Sequence, residues 1–190
     1  MSGVVHYFAG KYPGKVGMLI SPGSWKTPPF YMPYALDNGA FTGFNENDFY
    51  FMLRKAKLLK NKPLWVAVPD VVGDRQKTLE MWEQHQERVK AFGFNLAFVA
   101  QDGMTINDVP EQANCVFIGG TTEWKLNRAH EFKTANRKLH IGRVNTMERL
   151  QWAARIKADS VDGTGFFRGR KKQYQDFIDF FETEKQKTFF

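Results

Sequence analysis

The chain has 190 residues, a single cysteine and a formal net charge of +7, and 43% of its residues are hydrophobic. One cysteine excludes an internal disulfide and a multi-cysteine zinc site, and no apolar run approaches the roughly 20 residues that a membrane-spanning helix needs. The N-terminus also lacks the basic-then-apolar pattern of a secretory signal. We therefore expect one soluble domain, residues 1–190, in the cytoplasm.

The positive charge is concentrated in the second half of the chain. Residues 121–172 hold 13 Lys and Arg against 5 Asp and Glu, whereas the rest of the chain is nearly balanced. A regional surplus of cations is typical of a surface that binds a polyanion, because phosphate contacts supply most of the sequence-independent affinity for nucleic acid. A basic surface that simply faces solvent is the alternative.

Eight short apolar segments, each followed by a glycine, a proline or a polar residue, are predicted as β-strands. They lie at residues 4–9, 17–21, 34–36, 64–68, 96–100, 115–118, 139–141 and 160–161. Several are continuous apolar runs, which favours strands covered on both faces, as in a parallel sheet. Cys115 lies inside one of these runs, and we interpret it as a core residue.

Helical periodicity fills many of the gaps between these strands. Segments that follow Asn45, Asp74 and Thr146 keep their apolar residues on one face, and each of these three residues is a good helix cap. Further helices are predicted around Leu126 and over residues 174–181. The alternation predicts an α/β fold, a reduced (β/α)8 TIM-type barrel with one or two helices missing or replaced by loops.

In such a barrel the chemistry lies at the C-terminal ends of the strands. Five predicted strands end in groups that can hydrogen-bond a ligand: Asp37, Asp70, Gln101, the pair Gly119 and Gly120, and Asp162. Each group also has a structural explanation, as a turn or capping residue. Their convergence on one pocket favours function.

Two acids, Asp159 and Asp162, lie three positions apart near the last predicted strand. Side chains alternate along a strand, so these acids point to opposite faces and at most one can enter a shared site. Asp162 lies beside the glycine turn and is the better placed. We expect a structural role for Asp159.

The chemistry of these groups suits a purine and its sugar. A carboxylate can accept hydrogen bonds from N1–H and the 2-amino group of guanine, while an amide and a backbone N–H donate to O6. The two remaining acids fit glycosyl transfer, in which one attacks the anomeric carbon and the other manages the protons of the departing and arriving base. No metal or other cofactor is implied, because the four histidines fall at no recognised ligand spacing. His85 is expected on the surface of a helix.

The motifs around these residues resemble a known family. Leu36-Asp-Asn-Gly-Ala-Phe41 is similar to an Asp-Ser-Gly-Gly-Phe segment, Val68-Pro-Asp70 to a segment bearing a base-reading acid, Val99-Ala-Gln-Asp-Gly-Met104 to Val-Gln-Gly-Gly-Met, and Ile118-Gly-Gly-Thr121 to Ile-Gly-Gly-Leu. Residues 146–168 are similar to a segment of the same family that ends in Asp-x-x-Asp-Cys and Arg. Together they resemble the tRNA-guanine transglycosylases, and most of all the compact DpdA-type relatives that insert 7-deazaguanines into DNA.

The resemblance implies a role for each residue. Asp162 would be the nucleophile of a covalent glycosyl-aspartate intermediate, and Asp37 would transfer protons. The base would be bound by the following residues: Asp70, Gln101, Gly119, Gly120 and Thr121. It also implies no cofactor, a free 7-deazaguanine base (preQ0-like) as co-substrate, and a bacterial cell or phage-infected host as the setting.

The cysteine-rich zinc site of the tRNA-acting members is absent from this sequence, which favours DNA over RNA as the partner. The cations expected to contact phosphates are Lys125, Arg128, Arg143, Arg168, Arg170, Lys171 and Lys172. Three alternatives stay open. They are the same chemistry on RNA, a glycosylase in which water resolves the intermediate, and a catalytically inactive nucleic-acid-binding barrel.

Overall fold

The structure is a computed structural model that describes residues 3–167 and 171–187. The helices of this part are α1 (Gly3–Lys11), α2 (Glu46–Leu58), α3 (Arg75–Lys90), α4 (Thr122–Arg128), α5 (Met147–Arg155) and α6 (Lys171–Lys187). The strands are β1 (Met18–Ile20), β2 (Tyr34–Leu36), β3 (Val66–Ala67), β4 (Leu96–Ala100), β5 (Cys115–Ile118), β6 (Lys138–Ile141) and β7 (Ser160–Val161).

The strands form one seven-stranded sheet in which every strand pairs in parallel with the next along the chain. This order confirms the α/β class and the parallel sheet expected from the continuous apolar runs. Parallel strands need crossover connections, and α2, α3, α4 and α5 lie in four of them, whereas α1 precedes β1 and α6 follows β7. Among the described residues, no helix is long and apolar enough to cross a membrane.

The two faces of the sheet carry different cores. One face packs against the helices in a large apolar cluster that includes Leu36, Phe49, Trp82, Phe98 and Phe132. The other face, called the inner face below, carries a second and smaller cluster: Ala35, Trp65, Ala67, Ala97, Val99 and Cys115. Helices that cover only one face leave the other to be buried by curling of the sheet, as in a barrel wall.

Three helices begin at the residues that the sequence indicates. The side chains of Asn45, Asp74 and Thr146 each accept a hydrogen bond from the backbone N–H three residues later, which satisfies a donor that the helix leaves free. These caps set the start of α2, α3 and α5. The loops before α2 and α3 carry Asp37 and Asp70.

The strand predicted at residues 4–9 is wrong, because these residues lie in helix α1. The side chain of Phe8 is 1% exposed and packs against the rings of Phe167, Tyr174 and Phe177, which come from the far end of the chain. A short apolar run is compatible with either a strand or a buried helix. Here the aromatic partners near α6 favour the helix.

The surface position expected for His85 is also wrong. His85 lies on α3 as predicted, but it is 1% exposed, and its Nδ1 lies 2.9 Å from the hydroxyl oxygen of Tyr50 on α2. Burial lowers the pKa of this imidazole below its ordinary value. A buried polar group of this kind needs a partner, and Tyr50 supplies it.

We expect the Phe8→Ala substitution to lower the free energy of unfolding by about 3–5 kcal/mol, because it empties the centre of an aromatic cluster. Urea denaturation measures this change. Tyr7→Ala on the same helix is the matched control, since Tyr7 is 58% exposed and its loss should cost well under half as much. Equal costs for the two variants would show that α1 is not anchored through Phe8.

Candidate active site

Asp37 and Asp162 lie directly after β2 and β7, at the C-terminal ends of these strands. The backbone N–H of Asp37 donates to the carbonyl of Ile20 (2.9 Å), and that of Asp162 donates to the carbonyl of Ile141 (3.1 Å), so both residues extend the hydrogen-bond ladder of the sheet. The alternation along β7 places Asp162 on the same face as Ser160. The sheet itself therefore fixes the backbone of both acids.

The carboxylate of Asp162 is held on two sides. Its Oδ1 accepts a hydrogen bond from the backbone N–H of Arg143 (2.7 Å), and its Oδ2 lies 3.6 Å from Nε2 of His140. Burial alone raises the pKa of this carboxyl, but His140, the Arg143 N–H and the positive charge of Lys125 outweigh burial and bring the pKa below its ordinary value. Asp162 is therefore ionised at neutral pH.

The loop after β6 adopts an unusual conformation to reach Asp162. Arg143 has a φ of 59°, in the left-handed region that non-glycine residues rarely adopt. The loop after β7 packs directly on it: a Cβ at Gly163 would lie 2.0 Å from the carbonyl oxygen of Val144, and one at Gly165 would lie 2.4 Å from that of Asn145. The Asp-Gly-Thr-Gly sequence thus allows a contact that side chains would block.

Asp37 has the opposite electrostatic environment. Burial raises its pKa above the ordinary value, and the negative charge of Asp162 adds to the rise. The hydroxyl of Ser21 donates to Oδ2 of Asp37 (3.0 Å) and offsets only part of this effect. The two acids interact electrostatically, and their pKa values lie on opposite sides of the ordinary value, which is typical of an acid–base pair.

Asp70 and Gln101 are brought together, as predicted, in a buried network. Nε2 of Gln101 donates to Oδ2 of Asp70 (2.6 Å), and Nδ2 of Asn38 donates to Oδ1 (2.7 Å). Oε1 of Gln101 accepts from the backbone N–H groups of Gly73 (3.0 Å) and Gly120 (3.1 Å). Burial raises the pKa of Asp70 to about 6, although both amide hydrogen bonds lower it. The amide and the acid are thus already bonded to each other.

The glycine pair follows β5 at the same end of the sheet. A Cβ at Gly119 would lie 2.9 Å from Nε2 of Gln101, so glycine is what lets the strand end approach the amide. Gly120 has a φ of 59° and would clash with Asp102 if it carried a side chain. Thr121 caps α4, and its hydroxyl donates to Oδ1 of Asp102 (2.5 Å).

The predicted phosphate contacts differ in their positions. Lys125 is 5% exposed and its Nζ donates to the carbonyl of Gly142 (2.7 Å), so it does not lie on the surface that this prediction requires. Burial, reinforced by the positive charge of Arg143, lowers the pKa of Lys125 to about 8. Arg128 is exposed and pairs with Glu131 at 3.0 Å.

The exposed Arg143 extends over the site. Its guanidinium donates to the carbonyl of Gly120, and its Cζ lies 5.4 Å from the centroid of the Phe41 ring. The remaining predicted contacts have no described side chain: Arg168 and Arg170 lie outside the described residues, and Lys171 and Lys172 are described only as part of α6.

Three polar residues that touch the predicted acids were not identified from the sequence: Ser21, Asn38 and His140. Ser21 follows β1 and His140 lies on β6, the two strands for which no end group was proposed. The period of two along a strand is a signal that could have found His140, since it places this residue on the same face as Phe117 and Cys115 across the ladder.

Asp159 has the structural role expected for it. It precedes β7, and its carboxylate forms ion pairs with Lys133 (2.5 Å) and Lys138 (3.1 Å) and accepts from the backbone N–H of Leu139 (2.9 Å). Burial opposes ionisation of this carboxyl, but these three contacts outweigh it and lower its pKa. They engage both of its oxygens away from Asp162.

A cavity of about 410 Å³ opens beside Asp37. The residues that line it belong to the loops after β1 and β2 and to the start of α2: Ser21, Pro22, Gly23, Ser24, Asn38, Gly39, Thr42, Gly43, Asn45 and Asp48. A larger cavity of about 670 Å³ lies between α5 and α6 and includes none of the strand-end residues. We assign the site to the smaller one, because Ser21 and Asn38 in its wall donate hydrogen bonds to Asp37 and Asp70.

No protein-family model matches this sequence, and no curated protein matches it. Among solved structures, the chain is similar to the Bacillus subtilis YkuI protein, which has an EAL domain and is in complex with its substrate c-di-GMP and calcium. The TM-score is 0.44 and the identity 12%, over 84% of this chain and 46% of that one. The chain thus spans about half the length of YkuI, and a likeness this low carries no argument about function.

The titration of Asp70 gives a test of the buried network. Its folded-state pKa of about 6 lies above the ordinary value of 3.8. The folded protein therefore holds a proton that the unfolded chain releases, so the contribution of Asp70 to stability is complete below the lower value and is lost as the pH rises through the higher one.

The quantity to measure is the difference between the free energies of unfolding of the wild type and of Asp70→Asn. We expect this difference to fall by on the order of 2–3 kcal/mol between pH 4 and pH 7. Urea denaturation across this range measures the difference. Asp159→Asn is the control. Because the pKa of Asp159 is lowered, the difference between the wild type and this variant should rise, not fall, with pH. A wild-type minus Asp70→Asn difference that stays constant with pH would contradict the buried state of this carboxyl.

Proposed function

We propose that the protein is a base-exchange transglycosylase that replaces guanine in DNA with a free 7-deazaguanine base. The observation that carries this proposal is the pair Asp37 and Asp162, two carboxyls at one end of a parallel sheet whose pKa values are shifted in opposite directions. Glycosyl transfer needs one ionised carboxylate and one that exchanges protons. The resemblance of the motifs supports the choice of base.

In the proposed reaction Asp162 attacks C1′ of a deoxyguanosine that has left the base stack. The C1′–N9 bond breaks, the electron pair passes to the base, and Asp37 gives the base a proton. A covalent glycosyl-aspartate results. The incoming 7-deazaguanine then gives its N9 proton to Asp37 and attacks C1′, so the ester to Asp162 breaks and Asp37 is protonated again.

The buried network of Asp70 and Gln101 supports recognition of guanine. Guanine would take the place of Gln101 on Asp70, with N1–H and the 2-amino group donating to its carboxylate. The amide of Gln101 would then be free to donate to O6. A pKa of about 6 leaves Asp70 mostly ionised at neutral pH, as an acceptor of two hydrogen bonds must be.

Cations near the site support a polyanionic partner. Arg143 is exposed beside Asp162, and the segment from residue 121 to residue 172 holds the surplus of basic residues. Lys125 serves in this proposal as a buried charge that keeps Asp162 ionised rather than as a phosphate contact. The choice of DNA over RNA rests on the sequence alone, because the cysteine-rich zinc site of the tRNA-acting enzymes is missing.

The architecture is compatible with a reduced (β/α)8 barrel. Seven parallel strands in chain order with helices on one face are the arrangement that such a barrel contains. In this interpretation α1 stands where an eighth strand was expected. It packs against the aromatic residues around α6, and so connects the two ends of the sheet.

Nucleoside mass spectrometry of cellular DNA tests the proposal. DNA from cells that express the protein and receive a candidate 7-deazaguanine should contain the corresponding deoxynucleoside, and DNA from cells without the protein should not. Modified tRNA together with unmodified DNA would identify RNA as the substrate. Abasic sites formed without an added base would indicate a glycosylase, and unmodified nucleic acid in every case would overturn base exchange.

We expect Asp162→Asn to reduce exchange of labelled guanine into DNA by about ten-thousand-fold or more, because it removes the nucleophile. Asp37→Asn should reduce the rate by about a hundred- to ten-thousand-fold, the usual effect of losing a proton-transfer group. Binding of DNA, measured by fluorescence anisotropy, should persist in both variants.

Asp159→Asn is the matched control for these two variants, since it removes an acid from the same segment that is paired with Lys133 and Lys138. It should retain exchange. Loss of exchange in Asp159→Asn together with retention in Asp162→Asn would reverse the assignment of the nucleophile.

A further inference from the structure

The inner face of the sheet holds a histidine to which the proposed reaction gives no part. His140 lies on β6 and is 3% exposed. Its ring packs against Trp65 and Phe117, with centroids 4.7 Å and 4.6 Å away. The aromatic rings fix the plane of the imidazole and keep water from it.

The two ring nitrogens of His140 have different neighbours. Nδ1 lies 2.8 Å from the hydroxyl oxygen of Ser160 on the adjacent strand β7. Nε2 is buried and has no hydrogen-bond partner among the described residues, and it lies 3.6 Å from Oδ2 of Asp162. A buried polar atom without a partner is costly, so its position beside a carboxylate needs an explanation.

The arrangement of hydrogens follows from these neighbours. If Nδ1 carried the proton, Nε2 would present a bare lone pair to the negative charge of Asp162. The two groups would then repel each other, and neither would have a hydrogen-bond donor in the other. If Ser160 donates to Nδ1, the proton lies on Nε2 and points at Asp162. The second arrangement is the favourable one, and an approach of about half an ångström would complete the hydrogen bond, as often happens when a substrate binds.

We infer that His140, oriented by Ser160, is a positioning residue that donates Nε2–H to Asp162 and holds this carboxylate in the orientation for attack. Arg143 holds Oδ1 through its backbone N–H, and His140 holds Oδ2, so the carboxylate cannot rotate. Asp162 then reaches the sugar with little loss of conformational freedom. The inference rests on the proposed function, because it assigns the nucleophile's support within the same site.

Three variants separate positioning from packing. His140→Phe fills the space but has no N–H, His140→Gln keeps an N–H near the position of Nε2, and Ser160→Ala removes the group that orients the ring. The labelled-guanine exchange assay with DNA gives kcat and KM for each. His85→Phe is the control for loss of a buried histidine, since His85 pairs with Tyr50 and not with either acid.

We expect His140→Phe to lower kcat by about 30-fold with KM nearly unchanged, the effect of losing one hydrogen bond to a charged group. His140→Gln should recover most of the rate, and Ser160→Ala should lose about fivefold, because its histidine is no longer fixed in one tautomer. His85→Phe should lower stability without lowering kcat of the folded protein. Equal rates for the wild type and His140→Phe would overturn the inference.

A measurement without turnover tests the same contact. Nitrogen-15 NMR of the four histidines, assigned with His140→Gln, should show His140 as the Nε2–H tautomer, and Ser160→Ala should yield a mixture. An Nδ1–H tautomer in the wild type would overturn the inference. Nε2–H together with no exchange by the wild type on any nucleic acid would instead overturn the proposed function, and the positioning role with it.

Discussion

Asp162 accepts its hydrogen bond from the backbone N–H of Arg143, and the rest of the candidate site is arranged around this contact. The N–H can point at the carboxylate because Arg143 has a left-handed conformation, and the loop that follows Asp162 can lie close because it contains Gly163 and Gly165. Val144 donates in turn to the carbonyl of Asp162 (2.6 Å). The acid is therefore attached to the sheet and to the loop after β6, and a backbone donor does not move as a long cationic side chain would.

The same contact explains how two nearby carboxyls can take different roles. Two carboxylates in a partly buried site repel each other, so one of them must hold its proton more tightly. Asp162 has the N–H of Arg143, the imidazole of His140 and the charge of Lys125 to stabilise its ionised form, whereas Asp37 has mainly the hydroxyl of Ser21. In the proposed reaction, the surroundings of these two chemically identical groups would determine which one transfers the proton.

The sequence predicts the elements of the sheet better than it predicts the contacts of the site. Seven of the eight predicted strands are present in the sheet, because each is an apolar run that ends in a turn residue. The exception, residues 4–9, depends on aromatic partners more than 150 positions away.

The burial of Lys125 and His85 and the approach of His140 to Asp162 likewise depend on packing between distant segments, which composition and periodicity do not contain. The alternation of side chains along a strand was enough to predict the face of β6 on which His140 lies. Its partner Asp162 was not, because that required the register of β6 and β7.

Mass spectrometry of a trapped reaction intermediate can show whether Asp162 is the nucleophile. The protein is mixed with DNA in the absence of free base, denatured, treated with nuclease and digested with a protease. We expect one peptide, the one containing Asp162, with the added mass of a deoxyribosyl phosphate, and no such adduct in Asp162→Asn. An adduct on a different residue, or release of guanine with no adduct at all, would contradict the role of Asp162 as the nucleophile.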